Sequence, residues 1–250
     1  MLEEAAVVVQ QLGQRNAAVT GSKARVRTGA ARSIVFVVTD DLGFNDVSFH
    51  GSPQIPTPAL DELAATGLVL DNYHTQPVCS PTRASILSGR HAIHHGIYMP
   101  FGQGSALRLN LSYTLLPRYL QRHGYATHAV GKWHLGQNEL AALPTSRGFD
   151  THYGYWAGAE DYVTHATSGA YDLADGTATC FAANGTYSTY LFARRAVRII
   201  DDAVRGPRTI QQPQAPLPAT GLAAMTRALC AAAGWRRWPF VRPHPSSCTL

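Results

Sequence analysis

The sequence predicts an α/β fold with a largely parallel sheet flanked by helices. Three observations predict it: a short β-branched run at Ile34–Val38, a second strand-like run at Tyr125–Val130, and helix-period segments between and after them. Ile34–Val38 is apolar throughout, the pattern of a strand buried on both faces. It ends in Thr39-Asp40-Asp41, which puts two carboxylates at a strand tip. After a loop rich in Gly and Pro, Thr57 reads as an N-cap with Pro58 in the first turn, and Leu60, Leu63 and Ala64 keep helical spacing until Gly67. Leu68–Tyr73 reads as a strand. A helix then starts near Cys79, with Ser80 as its N-cap and Pro81 in its first turn, and runs to about Ser88. Another spans about Thr114 to His123, closed by Gly124. The strand Tyr125–Val130 leads into Gly131-Lys132-Trp133-His134-Leu135-Gly136. Thr189 caps a last helix, with Phe192, Ala196, Ile199, Ile200 and Ala203 on one face.

Composition removes several function classes. The formal charge of +5 suggests an anionic polymer until it is located. Residues 33–202 hold 10 Lys+Arg against 14 Asp+Glu, and the excess lies at the two ends, so no nucleic-acid partner is expected. No run approaches a membrane span, and the start carries no signal-peptide pattern. Four scattered cysteines spell neither a disulfide framework nor a C-x-x-C metal site. Asn110 and Asn184 open two Asn-x-Ser/Thr glycosylation triplets. Three segments follow: an N-terminal extension over 1–32, expected to be disordered; a folded part over 33–204; and a Pro-rich tail over 205–250, also expected to be disordered.

In such sheets, active sites gather beyond the carboxyl ends of the strands, where both Asp40-Asp41 and the Lys132/His134 loop lie. Asp40 and Asp41 could share a hard divalent cation, or form a solvated acidic turn. Cys79 stands at a helix N-terminus, where unpaired N–H groups favour an anion, and Arg83 follows one turn on. Strand-like alternation puts Lys132 and His134 on one side of their loop and Trp133 on the other. A cation beside an imidazole suits an oxyanion substrate and a proton transfer. The His91, His94, His95 cluster matches no metal spacing and reads mainly as loop surface. A cysteine-phosphatase loop is excluded, because only three residues separate Cys79 from Arg83 and Pro81 interrupts them.

These residues resemble the sulfatase family. Cys79-Ser80-Pro81-Thr82-Arg83 with its trailing Ala84–Arg90 helix looks like the C-x-P-x-R motif, and Gly131–Gly136 like the second family motif. Val38-Thr39-Asp40-Asp41-Leu42-Gly43 resembles the family's metal-binding strand end, and Gly158-Ala159-Glu160-Asp161-Tyr162 is most similar to the arylsulfatase B group. The resemblance covers roughly residues 34–204 and implies an alkaline-phosphatase-like sulfatase catalytic domain, truncated, that cleaves sulfate esters. It implies that Cys79 becomes formylglycine, whose hydrate attacks sulfur with one hydroxyl and expels sulfate through the other. It further implies a calcium ion on Asp40, Asp41 and position 79, Arg83 bracing the hydrated aldehyde, Lys132 on sulfate, and His134 orienting a hydroxyl or taking its proton. The partners so implied are a sulfated small molecule or glycan and the formylglycine-generating enzyme, in a lysosomal or secreted setting. In the family, further calcium ligands and a second histidine and lysine come from a C-terminal half that is not matched here. The alternative reading is therefore a truncated, catalytically inactive sulfatase-like fragment; a phosphomonoesterase of the same superfamily is a distant third.

Overall fold

The computed structural model describes residues 3–11 and 33–205. Its main sheet has six strands: β1 Glu3–Gln11, β2 Ile34–Asp40, β3 Tyr125–Val130, β4 Thr151–Tyr155, β7 Leu173–Asp175 and β8 Ala178–Thr179. The spatial order is β2-β1-β3-β4-β7-β8, and β5 Ala166–Thr167 pairs with β6 Ala170–Tyr171 in a separate ribbon. Among the described residues, five α-helices accompany them: α1 Pro58–Thr66, α2 Cys79–Ser88, α3 Ala92–His95, α4 Leu116–Arg122 and α5 Ser188–Arg205. No helix among the described residues is long and apolar enough to cross a membrane.

The α/β architecture stands, but the sheet is mixed rather than largely parallel. β1 runs antiparallel to both β2 and β3, so those two share a direction, and β4 pairs parallel to β3. The β7–β8 hairpin adds two antiparallel pairings beyond β4. The common direction of β2 and β3 matters most, because it delivers Asp40 and the Lys132 loop to the same end of the sheet.

Helices cover both faces. Successive β3 residues point opposite ways, so Ala129 joins a core with Ala84 and Leu87 of α2, while Val130 joins Phe192 of α5. Trp133 and Phe149 complete the first core edge to face, with centroids 6.3 Å apart.

Several expectations change. Residues 3–11, assigned to an unstructured extension by the sequence reading, form β1; Val7–Val9 are β-branched and suited to a strand once two neighbours flank it. The rest of the extension, 12–32, and the tail from 206 to 250 lie outside the described residues. β2 is not buried on both faces, and Val37 is 45% exposed. Val35 packs against α5, but Ile34, Phe36 and Val38 line an apolar groove of ≈ 130 Å³ left open by α2 and α4. Leu68–Tyr73 forms no strand, and Leu68 is 86% exposed. An apolar run becomes a strand only where another strand takes its hydrogen bonds.

Candidate active site

The site begins at the tip of β2. Asp40 is buried, and Asp41 beside it is exposed with φ 53°, a left-handed turn that Asp tolerates better than most residues. The turn sends consecutive carboxylates into different surroundings.

β3 ends at Val130, and Gly131, with φ 95°, turns the chain so that Lys132 reaches Asp40 and forms an ion pair with its Oδ2. Trp133 points the other way into the core, donating its indole N–H to the carbonyls of Gly136 and Ala142, 3.1 Å each. Lys132 and Trp133 therefore diverge as the alternation predicts. The loop continues the β3–β4 pairing: Trp133 and His134 donate their backbone N–H groups to the carbonyls of Tyr155 and Trp156.

Helix α2 docks on this loop through its first turns. Cys79 is the first helical residue, a half-buried free thiol, and Val78 rather than Ser80 is the N-cap. Ser80 is fully buried and bridges instead, donating to the His134 carbonyl at 3.0 Å and accepting from the Phe101 N–H at 3.1 Å. Thr82 donates back to the carbonyls of Gln76 and Val78, which fixes the entry to the helix. Arg83 donates to the Lys132 carbonyl at 2.7 Å and lies 3.4 Å from Asp40 Oδ2. Asp40, Arg83 and Lys132 thus form one buried charged group, with both cations directed at the same Asp40 oxygen.

His134 is 4% exposed and adopts φ 57°. Its Nε2 lies 2.8 Å from the Phe101 carbonyl, so Nε2 carries the proton, and buried Nδ1 has no partner among the described residues. Burial pushes its pKa down to about 4, with Lys132 and Arg83 adding to the shift and the Phe101 hydrogen bond and Asp40 opposing it. The imidazole is therefore neutral down to mildly acidic pH, with a lone pair at Nδ1.

The sulfatase family model matches residues 32–213 of the sequence. The chain belongs to the sulfatase family. It is similar to arylsulfatase J of Mus musculus, 41% identical over 179 residues that cover 67% of this chain and 29% of that protein. Human N-acetylgalactosamine-6-sulfatase is 37% identical over 131 residues, 49% of this chain and 25% of that protein. Among solved structures, Ps i-CgsB superposes with a TM-score of 0.61 at 26% identity, over 78% of this chain and 52% of that one. The sulfatase chain thus spans less than a third of the length of these two curated relatives.

Asp40 and Asp41 supply hard carboxylate oxygens from adjacent positions, the donor type calcium takes. They are a minority of the six to eight oxygens such an ion requires, and no third His, Cys, Asp or Glu clusters with them among the described residues. The histidine cluster is local: His91 and His95 accept the N–H groups of Ile93 and Ile97, and His95 Nε2 pairs with the Ser85 hydroxyl at 3.1 Å.

The sequence pointed to Asp40, Asp41, Cys79, Arg83, Lys132 and His134. The structure joins Asp40, Arg83 and Lys132 directly, ties His134 to Ser80 beside Cys79, and leaves Asp41 at the exposed tip. It adds Phe101, which no spacing rule connects to the site, and gives Ser80, inside the Cys79–Arg83 motif, a bridging role in place of the expected cap. Replacing Ser80 with alanine would strand the His134 carbonyl and the Phe101 N–H. We expect a loss of about 1–3 kcal/mol, measurable by urea unfolding.

Proposed function

We propose that this sulfatase chain carries the nucleophile and part of the sulfate site of an arylsulfatase-type sulfuric ester hydrolase. One observation carries the reading: the first turns of α2 are hydrogen-bonded to both ends of the Lys132–His134 loop and, through Arg83, to Asp40. Position 79 is the first residue of α2, at a helix N-terminus where a sulfate group is electrostatically favoured, and the same helix carries Arg83 to the Lys132 carbonyl.

Cys79, oxidised by the formylglycine-generating enzyme, would supply a hydrated aldehyde as the attacking group. Asp40 and Asp41 would supply part of a calcium ion's oxygen shell, and the ion would offset the charge on the sulfate oxygens. The remaining roles belong to side chains already in place. Lys132 and Arg83 offset the negative charge of the ester, and Asp40 keeps both cations oriented. Arg83 has a second tie to the Lys132 carbonyl, so the helix and the loop hold their spacing. With Nε2 bonded to the Phe101 carbonyl, Nδ1 is the ring nitrogen of neutral His134 left to take a proton, and it would take one from a hydroxyl of the modified residue 79.

The substrate class is a sulfated small molecule or sulfated glycan. The names of the relatives point to aryl sulfates and to a 6-sulfated amino sugar. Both glycosylation triplets, at Asn110 and Asn184, sit at exposed positions, which supports passage through the endoplasmic reticulum to a lysosomal or secreted destination.

Mass spectrometry of the tryptic peptide containing Cys79, from protein expressed with a secretory leader, tests the proposal. A mass matching formylglycine supports it. An unmodified thiol in all of the material would overturn it in favour of a non-catalytic fragment.

A further inference from the structure

His134 depends on the chain segment that follows β4, and Asp172 holds that segment. Asp172 lies between β6 and β7 and takes no part in the proposed chemistry. Its carboxylate accepts the backbone N–H of Trp156 on Oδ1 at 3.2 Å and that of Ala157 on Oδ2 at 2.7 Å. Trp156 in turn accepts the His134 N–H on its carbonyl at 3.1 Å. One peptide therefore passes Asp172's hold directly to the His134 main chain.

The next residue but one closes on the ring itself. A Cβ placed on Gly158 would lie 2.5 Å from Cε1 and 2.6 Å from Nε2 of His134, so bare glycine backbone forms one wall of the imidazole slot. Two residues further on, Glu160 is anchored by the Ser188 hydroxyl at 2.7 Å and by His165 Nδ1 at 3.2 Å. The His165 carbonyl accepts the Asp172 N–H at 2.9 Å, so both anchors share a frame. Burial raises the Asp172 carboxyl pKa, with the two N–H groups opposing, as befits a carboxylate that faces main chain rather than water.

We infer that Asp172 is a positioning residue: through Trp156 and Gly158 it fixes the His134 ring so that Nε2 meets the Phe101 carbonyl and Nδ1 is left to take a proton. The inference deepens the function proposed above and rests on His134 serving as the proton acceptor there.

The test needs no turnover. In the full chain labelled with ¹⁵N-histidine, the His134 Nε2–H is assigned by its loss in His134→Gln, and its hydrogen exchange is followed at fixed pH. His165 Nε2, 3.1 Å from the Ala183 carbonyl, serves as the internal reference for the fold. Asp172→Ala is expected to speed His134 exchange by about tenfold or more, the scale of one lost hydrogen bond, with His165 unchanged. Asp172→Asn keeps one accepting oxygen and should fall between Asp172→Ala and the parent chain. If Asp172→Ala does not fold, Asp172→Asn alone decides. A His134 rate within about twofold of the parent in the folded variants would overturn the inference. Failure of the sulfatase reading is distinguishable, since an unmodified Cys79 leaves the exchange rates untouched.

Discussion

Replacing Cys79 with alanine is expected to abolish sulfate release from an aryl sulfate in any active form carrying this site, with a loss of at least about a thousandfold. Cys79 is the first residue of α2, and the elements that would serve it are fixed independently of its side chain. Ser80 holds α2 to the His134 carbonyl, and Arg83 holds it to the Lys132 carbonyl and Asp40. The alanine variant should therefore keep its stability while losing turnover, a separation that circular dichroism and a chromogenic sulfatase assay read together. Serine at position 79 offers one hydroxyl on its carbon instead of two. It should attack once and then stall as a sulfate ester, visible as a gain of sulfate mass without turnover. Sustained release from either variant would sink the assignment.

The second large effect falls on stability. Asp40 faces the cations of Lys132 and Arg83, and the three side chains are only 10%, 5% and 9% exposed. Removing the carboxylate takes away the anion that both buried cations share. Asp40→Ala is expected to destabilise the fold by about 3–5 kcal/mol. Asp41→Asn, at an exposed turn whose conformation Asn also accepts, should change stability by no more than about 0.5 kcal/mol. Adding Lys132→Met to Asp40→Ala should recover part of the loss, because it removes one of the two buried cations that Asp40 faced. Urea unfolding of the four proteins measures all three effects. A loss below about 1 kcal/mol for Asp40→Ala would mean that water reaches the charges, and the description of a closed ionic group would fail.

The two aspartates share a strand tip and are adjacent in sequence, yet they differ in kind. Asp40 maintains the site's internal charge balance. Asp41, held in a left-handed turn, offers its carboxylate outward, where an added cation could be met.

What the sequence determined by itself is what short-range geometry controls. A β-branched run ending in Asp40-Asp41 gives a strand with its carboxylates at the tip. A Pro in the first turn and a Gly at the end delimit the helix that begins at Cys79 and places Arg83 one turn away. Alternation after β3 sends Trp133 into the core and Lys132 toward Asp40. These relations span two to four residues, and backbone periodicity fixes them whatever the rest of the chain does.

Only the tertiary structure decided the relations that cross the chain. Ser80 has the composition and position of an N-cap, but packing buries it against His134, 54 residues away, where the two backbone groups it satisfies outweigh a local cap. Leu68–Leu70 and Ala5–Val9 are both short apolar runs. One lies open and the other pairs on both edges, because a strand's identity resides in its neighbours' hydrogen bonds. Asp172 and Gly158 carry no motif toward His134. They matter only because β4 ends where its main chain meets both, a coincidence of register that one-dimensional patterns do not encode.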